Sequence, residues 1–146
     1  MAKAIERYST VPQLDAVNFY EVLLFCWLTG NNDMHLKNFS LLSLSEGRYE
    51  LSPAYDLLNV VIINPADTEE LALTLNGKKK RIVRKDFIEA ASKAGISEKI
   101  IDGLLAHFEQ CWPDWELKIN ESFLSDEMKT AYKELISKRM NKLAGL

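Results

Sequence analysis

The stretch from Thr29 to Leu42, TGNNDMHLKNFSLL, places an aspartate, a histidine, a lysine and asparagines between an apolar segment and a predicted strand. Asn38 follows Asp33 by five positions, which is the D-x-x-x-x-N spacing of a loop that transfers phosphoryl groups. In such a loop the carboxylate accepts the proton of the attacking hydroxyl, and the amide oxygen is a neutral ligand of magnesium. The residue types and their order therefore make phosphoryl transfer one candidate chemistry.

Phosphoryl transfer also needs an anionic magnesium ligand, and Asp56 in SPAYDLL is the candidate. The intervening sequence, FSLLSLSEGRYEL, has the apolar runs and turn residues of a β-hairpin. Because a hairpin carries the chain out and back, we expect Asn38 at its start and Asp56 after its end to converge. Lys37 would then face a phosphate group as a compact cation.

Each of these residues also has an ordinary structural interpretation. Asp33 and Asn38 follow a helix, where such residues commonly form caps and turns, and Asp56 before LLNV would suit the N-cap of a helix. A histidine such as His35 more often makes a structural hydrogen bond than acts as a ligand or a base. A metal-dependent hydrolase using Asp33, His35 and Asp56 is a further alternative, which Lys37 disfavours because its charge would repel the metal.

Helical spacing of apolar residues predicts the elements that must position these groups. Five helices are predicted: AKAIERYS; a segment that Ser9 or Thr10 caps and that ends at Gly30; RKDFIEAASKAG; ISEKIIDGLLAHFEQCW, which ends before Pro113; and DEMKTAYKELISKRMNKLAG. The second of these has Pro12 in its first turn, where the missing N–H is harmless. Its apolar residues cover nearly every face, which indicates a helix central to the core.

Two β-hairpins are predicted between the helices. The first pairs FSLLSL with RYELS, and the second is centred on Asn76-Gly77 in LALTLNGKKKRIV, a dipeptide that favours a type I′ turn. The sequence therefore predicts one domain over residues 1–146, mainly α with small β-hairpins, an α+β fold.

Composition excludes several classes of function. The 146 residues suit a single domain, and 18 basic against 21 acidic residues give a net charge of −3, so no general positive field would attract nucleic acid. The chain has no apolar run long enough to cross a membrane and no signal peptide pattern. Cys26 and Cys111 lie in apolar helical patterns, which favours buried thiols and a cytoplasmic location.

The polar stretch and the segment after the first hairpin together resemble HipA-like serine/threonine kinases. Gly30, Asn31, Asp33, His35, Lys37, Asn38 and Ser40 fill the family pattern G-N-x-D-x-H-x-K-N-x-S, and Leu51, Pro53, Tyr55 and Asp56 fill L-x-P-x-Y-D. The segment ELALTLNGKKKRIVRKDFIEAA is similar to the family's hairpin and following helix. The resemblance covers nearly the whole chain and is weakest near its C-terminal end.

The resemblance implies an ATP-dependent protein kinase with a two-lobed fold, best known as the toxin of toxin–antitoxin pairs. The best-known members phosphorylate aminoacyl-tRNA synthetases and are restrained by a small DNA-binding antitoxin. By position, Asp33 would be the catalytic base, Asn38 and Asp56 would bind Mg²⁺, and Lys37 would stabilise the transferring phosphate of ATP. Two more residues would support the loop, His35 and Asn31.

Kinase catalysis also needs a loop over the phosphates and a lysine from a strand-rich N-terminal lobe. The residues before Asp33 contain no Gly-rich loop, and NGKKKR at 76–81 is typical of a solvated turn. We therefore expect the C-terminal lobe of such a kinase, inactive without a separate N-terminal-lobe chain, with an exposed apolar face through which copies would self-associate. A non-catalytic kinase lobe that binds an antitoxin or regulatory chain is the alternative.

Overall fold

Five helices and one two-stranded antiparallel sheet make up the computed structural model, which describes residues 1–144. The helices are α1, Ala2–Tyr8; α2, Pro12–Thr29; α3, Arg84–Lys93; α4, Glu98–Glu121; and α5, Asp126–Ala144. The strands are β1, Leu41–Ser45, and β2, Arg48–Leu51, preceded by a single 3-10 turn at Leu36–Asn38. This mainly helical α+β architecture confirms the predicted fold class. Gly145, the end of the predicted last helix, lies outside the described residues.

Helix α2 runs through the centre of the core, as its all-round apolar pattern predicted. Leu24, Cys26 and Trp27 are fully buried within it. The Trp27 ring packs edge-on against Phe87 of α3, with 5.4 Å between ring centroids. Gly30 ends the helix with a left-handed backbone, φ 80°, which glycine adopts without steric cost. The polar stretch therefore starts from a rigid support.

The predicted cap of α2 at Ser9 or Thr10 is wrong. Val11 occupies the cap position and makes no side-chain capping bond. The Ser9 hydroxyl instead donates to the buried Asp15 carboxylate at 2.6 Å, and Thr10 donates its backbone N–H to the Tyr49 carbonyl at 2.8 Å. The linker between α1 and α2 is thus engaged by the outer edge of β2, which local sequence cannot reveal.

The predicted end of the fourth helix before Pro113 is also wrong, because α4 continues through this proline to Glu121. An interior proline loses a backbone hydrogen bond and crowds the preceding turn. Aromatic packing on both sides offsets this cost, since Trp115 contacts Phe25 and Phe108 with ring centroids 5.5 and 5.6 Å apart. Tertiary contacts therefore override the local signal for a helix end.

The first predicted hairpin is confirmed, with Leu41 opposite Leu51 and Ser43 opposite Tyr49. The second forms its turn but not its strands. Asn76 and Gly77 both have positive φ, 48° and 79°, as a type I′ turn requires, yet the flanking residues make only an isolated bridge between Leu75 and Lys78.

Residues 52–83 contain no helix and no strand of the sheet. Glu70 connects this segment to the core. Its carboxylate accepts hydrogen bonds from Trp27 Nε1 at 2.8 Å, from the Ile82 N–H at 3.0 Å and from the Arg81 N–H at 3.2 Å. The segment is therefore anchored to α2 at a point after Asp56. No helix within residues 1–144 combines the length and apolarity needed to cross a membrane.

Candidate functional site

The polar loop begins at Gly30, where α2, α5 and residues 59–61 meet. A Cβ atom at this position would lie 2.7 Å from Leu135 Cδ2 and 3.0 Å from Asn59 Oδ1. The Gly30 carbonyl accepts hydrogen bonds from the N–H groups of Val60 and Val61 at 3.0 and 3.2 Å. Both the positive φ and the close approach require glycine here. The start of the loop is thereby tied to the segment that carries Asp56.

Asn38 and Asp56 are brought together, as the hairpin between them predicted. Asn38 is 6% exposed and lies at the end of the 3-10 turn. Its amide Nδ2 donates to Asp56 Oδ2 at 2.8 Å and approaches the Asp33 carbonyl at 3.5 Å. The buried Asn38 amide therefore joins the polar loop to the segment that carries Asp56.

Asp56 itself has an unusual backbone, with φ 57° in the left-handed region. Aspartate tolerates this conformation better than most residues, although it still costs about 1 kcal/mol. No helix starts at Asp56, so its interpretation as a helix cap is wrong. Its side chain is exposed apart from the contact with Asn38, which leaves carboxylate oxygen available to a ligand.

Asp33 presents its carboxylate to solvent on the same loop. Its side chain is 52% exposed, and His35 Nε2 lies 3.1 Å from its Oδ1. His35 is itself 49% exposed, so the pair contributes little to stability. The Asp33 carboxylate, which contacts the His35 imidazole, is therefore accessible to a substrate hydroxyl.

Lys37 is exposed one residue before Asn38. Its carbonyl accepts a hydrogen bond from the Tyr55 hydroxyl at 3.2 Å. Tyr55 precedes Asp56, so this bond adds a second link between the loop and the Asp56 segment. The sequence motif includes Tyr55 but gives it no role, because the pattern does not indicate which group its hydroxyl contacts.

Two consecutive asparagines join the loop to residues 52–83 at different places. Asn31 is 1% exposed; its Oδ1 accepts the Asp33 N–H at 3.2 Å, and its Nδ2 donates to the Asp56 carbonyl at 3.3 Å. Asn32 is 6% exposed, and its Nδ2 donates at 3.0 Å to both the Asp67 carboxylate and the Glu69 carbonyl. The role of Asn32 had no sequence signal.

Asn38 and Asp56 lie close enough together to be ligands of one magnesium ion. Neighbouring oxygens of an octahedral Mg²⁺ at about 2.1 Å lie about 3.0 Å apart, and Asn38 Nδ2 lies 2.8 Å from Asp56 Oδ2, at hydrogen-bond distance. A half-turn of the amide exchanges its nitrogen and oxygen. One carboxylate and one amide oxygen are ligands that magnesium accepts.

A metal-dependent hydrolase finds no support in the geometry. Within residues 1–144, no group of three or more His, Cys, Asp or Glu side chains is placed to hold a metal ion. His35 pairs with Asp33, and the Asp56 carboxylate accepts a hydrogen bond from Asn38.

Large apolar side chains are exposed in the segments that carry the site. They are Leu36, Tyr55, Leu57, Leu58 and Ile63, at 57%, 42%, 43%, 44% and 68% exposure. Exposed apolar side chains that adjoin one another are typical of an interaction surface, and self-association of the chain stays a prediction. An open groove of about 540 Å³ lies elsewhere, along α5, lined by Glu134, Ser137, Lys138, Asn141 and Lys142.

Comparison with known proteins identifies relatives of this chain. A family model described as the HipA-like C-terminal domain matches residues 1–115. A Sinorhizobium fredii protein named "Putative kinase Y4dM" is 39% identical over 88 residues, which cover 60% of this chain and 22% of that protein. A Haemophilus influenzae protein named "Putative kinase" is 24% identical over 116 residues, covering 69% of this chain and 34% of that protein.

A solved structure shares the fold. It is a chain from the complex of the Shewanella oneidensis MR-1 toxin–antitoxin system HipA, HipB and its operator DNA, with a TM-score of 0.78 and 19% identity. The match covers 99% of this chain and 35% of the other. The chain thus spans only about a fifth to a third of the length of these relatives.

Proposed function

The chain belongs to the HipA-like C-terminal domain family, and from this premise we propose that it is the catalytic lobe of an ATP-dependent serine/threonine protein kinase of the toxin–antitoxin type. The lobe would transfer the γ-phosphate of ATP to a hydroxyl of a protein. The names of the relatives support the kinase class.

The observation that carries this proposal is the contact between Asn38 and Asp56 at 2.8 Å, on the same loop as Asp33, whose carboxylate is exposed. A base, a neutral amide and a second carboxylate are the groups that a kinase lobe contributes to phosphoryl transfer. A lobe that only binds a regulatory partner has no chemical need for this set.

Each residue of the site has a defined part in the reaction. The Asp33 carboxylate accepts the proton of the substrate hydroxyl as the oxygen attacks phosphorus. Lys37 binds the transferring phosphate with its ammonium group. Asn38 and Asp56 would hold Mg²⁺, which neutralises phosphate charge when bound. His35 orients the Asp33 carboxylate through their contact.

The nucleotide also needs groups from a second lobe. A Gly-rich loop over the phosphates and a strand-borne lysine belong to that lobe in kinases, and we propose that a separate polypeptide or segment supplies them. The 146-residue chain alone would then bind Mg²⁺-ATP weakly and transfer no appreciable phosphate.

The partners that we propose are those that the family resemblance implies. We propose a DNA-binding antitoxin as the restraining partner, in line with HipB in the complex of the structural neighbour. The protein substrate would be an aminoacyl-tRNA synthetase, and the reaction would take place in the cytoplasm. The chain itself would make no direct contact with nucleic acid or membrane.

Phosphate transfer from radiolabelled ATP to a serine-containing protein tests the proposal. The 146-residue chain is mixed with an N-terminal-lobe chain of a family member, and transfer is compared with Asp33→Asn. Because Asp33 would be the base, the variant should transfer at least about 100-fold more slowly.

Asp126→Asn is the matched control, since Asp126 is an exposed carboxylate in the first turn of α5. This variant should keep full transfer. Equal rates for Asp33→Asn and the unaltered chain would overturn the assignment of the base. No transfer with any N-terminal-lobe chain would overturn the kinase proposal.

A further inference from the structure

We propose that Asn31 is a positioning residue that sets where Asp56 stands relative to Asp33, so that the metal affinity of the site depends on a side chain that does not touch the metal. The inference rests on the proposed function, because it assumes that Asp56 is a metal ligand. It goes further by assigning the placement of that ligand to one buried amide.

Both ends of the Asn31 carboxamide are used, and each end meets a different part of the site. Its Oδ1 accepts the backbone N–H of Asp33, and its Nδ2 donates to the backbone carbonyl of Asp56. A carboxamide carries a donor and an acceptor in one plane, so it can bridge an N–H and a C=O at fixed separation. The bridge acts on backbone atoms, so Asn31 occupies neither the Asp33 nor the Asp56 carboxylate.

Burial makes this bridge effective. Asn31 is 1% exposed, so water has little access to its carboxamide, and losing either bond leaves a buried atom of the Asn31 side chain without a partner. The adjoining Asp33 and Asp56 side chains are exposed. The rigid part of the site therefore lies beneath the part that would meet the ligands.

Asp56 has particular need of such support. Its backbone is in the left-handed region at φ 57°, within a segment that has neither helix nor strand. A strained backbone persists only where its surroundings hold it. Asn31 holds the Asp56 carbonyl while Asn38 contacts the carboxylate. Releasing the carbonyl would let the backbone relax and carry the carboxylate away from Asn38.

The neighbouring Asn32 provides a matched control. It is also buried, at 6% exposure, and it also reaches residues 52–83. Its partners are Asp67 and the Glu69 carbonyl, eleven and thirteen positions beyond Asp56. Removing its side chain should therefore affect stability without moving Asp56.

Binding of Mn²⁺ to the 146-residue chain, followed by electron paramagnetic resonance at pH 8, tests the inference. The chains compared are the unaltered protein, Asn31→Asp, Asn31→Ala, Asn32→Ala and Asp56→Ala. Asn31→Asp keeps the shape and the acceptor for the Asp33 N–H but loses the donor to Asp56. It also adds a negative charge, which by electrostatics alone would tighten Mn²⁺ binding.

Positioning predicts the opposite, a Kd for Mn²⁺ raised about tenfold or more in Asn31→Asp, as is usual for residues that orient metal ligands. Asn31→Ala should weaken binding at least as much, Asn32→Ala should leave it unchanged, and Asp56→Ala should abolish it. Hydrogen exchange of the Asn31 Nδ2 protons in the unaltered chain is a second readout that needs no variant, and slow exchange is expected.

The outcomes separate this inference from the proposed function. If Asp56→Ala abolishes binding but Asn31→Asp binds as tightly as the unaltered chain, the positioning role is overturned and the metal site stands. Rapid exchange of the Asn31 Nδ2 protons likewise overturns the positioning role alone. If the unaltered chain shows no Mn²⁺ binding that depends on Asp56, the metal site of the proposed function fails and the inference fails with it.

Discussion

At the scale of single residues, the site combines a strained backbone with an exposed carboxylate at Asp56. The motif and the hairpin made its convergence with Asn38 predictable, because a short hairpin returns the chain to its starting point. Its left-handed φ of 57° was not predictable. The bonds of Asn31 and Tyr55 were not predictable either, because each joins a side chain to a backbone carbonyl far away in sequence.

Substitutions at Asp56 should separate stability from ligand binding. Glycine adopts a positive φ freely, whereas alanine is strained there by about 1 kcal/mol. Asp56→Gly should therefore unfold at a higher urea concentration than Asp56→Ala, although both lose Mn²⁺ binding. Equal unfolding midpoints for the two variants would show that the left-handed backbone at this position is not maintained in solution.

At the scale of elements, the start of α3 is joined to the Asn76-Gly77 turn by a buried carboxylate. Asp86 is 2% exposed; its Oδ2 accepts the Val83 N–H at 3.0 Å, and its Oδ1 lies 2.7 Å from Lys78 Nζ. Burial by itself would raise the pKa of Asp86, but the hydrogen bonds from Lys78, Val83 and Asn76 outweigh it and lower the pKa.

This lowered pKa gives a pH dependence with a defined sign. The folded state holds the Asp86 proton more weakly than the unfolded state. The ionised Asp86 carboxylate therefore stabilises the fold fully at pH values above its unfolded pKa of about 3.9, and this stabilisation is lost as the pH falls through the lower folded pKa. The gap in unfolding free energy between the unaltered chain and Asp86→Asn should shrink from pH 6 to pH 3. A gap that stays constant would contradict the ion pair. Asp126→Asn is the exposed control.

Local sequence predicted elements well where the signal and the packing agree. Helix α2 was found because its apolar residues are buried in the core, and the first hairpin was found because its turn residues and strand pairing agree. At Pro113 and in the segment around Asn76, tertiary contacts override the local sequence signal. There the packing of Trp115 extends a helix through a proline, and Glu70 occupies the backbone N–H groups of Arg81 and Ile82, which the predicted second strand would have used.

At the scale of the whole molecule, the site depends on helices remote from it in sequence. Arg139 of α5 is 7% exposed and donates to the Trp27 carbonyl, with its guanidinium 5.3 Å from the centre of the Trp27 ring. Burial lowers the pKa of Arg139 to about 10, so it stays charged at neutral pH near Glu70. Helix α2, helix α5 and the segment that carries Asp56 therefore form one connected support.

Anomalous X-ray diffraction from crystals of the 146-residue chain grown with Mn²⁺ would locate the metal relative to Asn38 and Asp56. We predict a manganese peak bound by Asn38 Oδ1 and an Asp56 carboxylate oxygen, with the Asn38 amide turned from its present contact, and no such peak in Asp56→Ala. Manganese bound elsewhere with the Asn38–Asp56 pair vacant, or a peak that survives Asp56→Ala, would contradict this prediction.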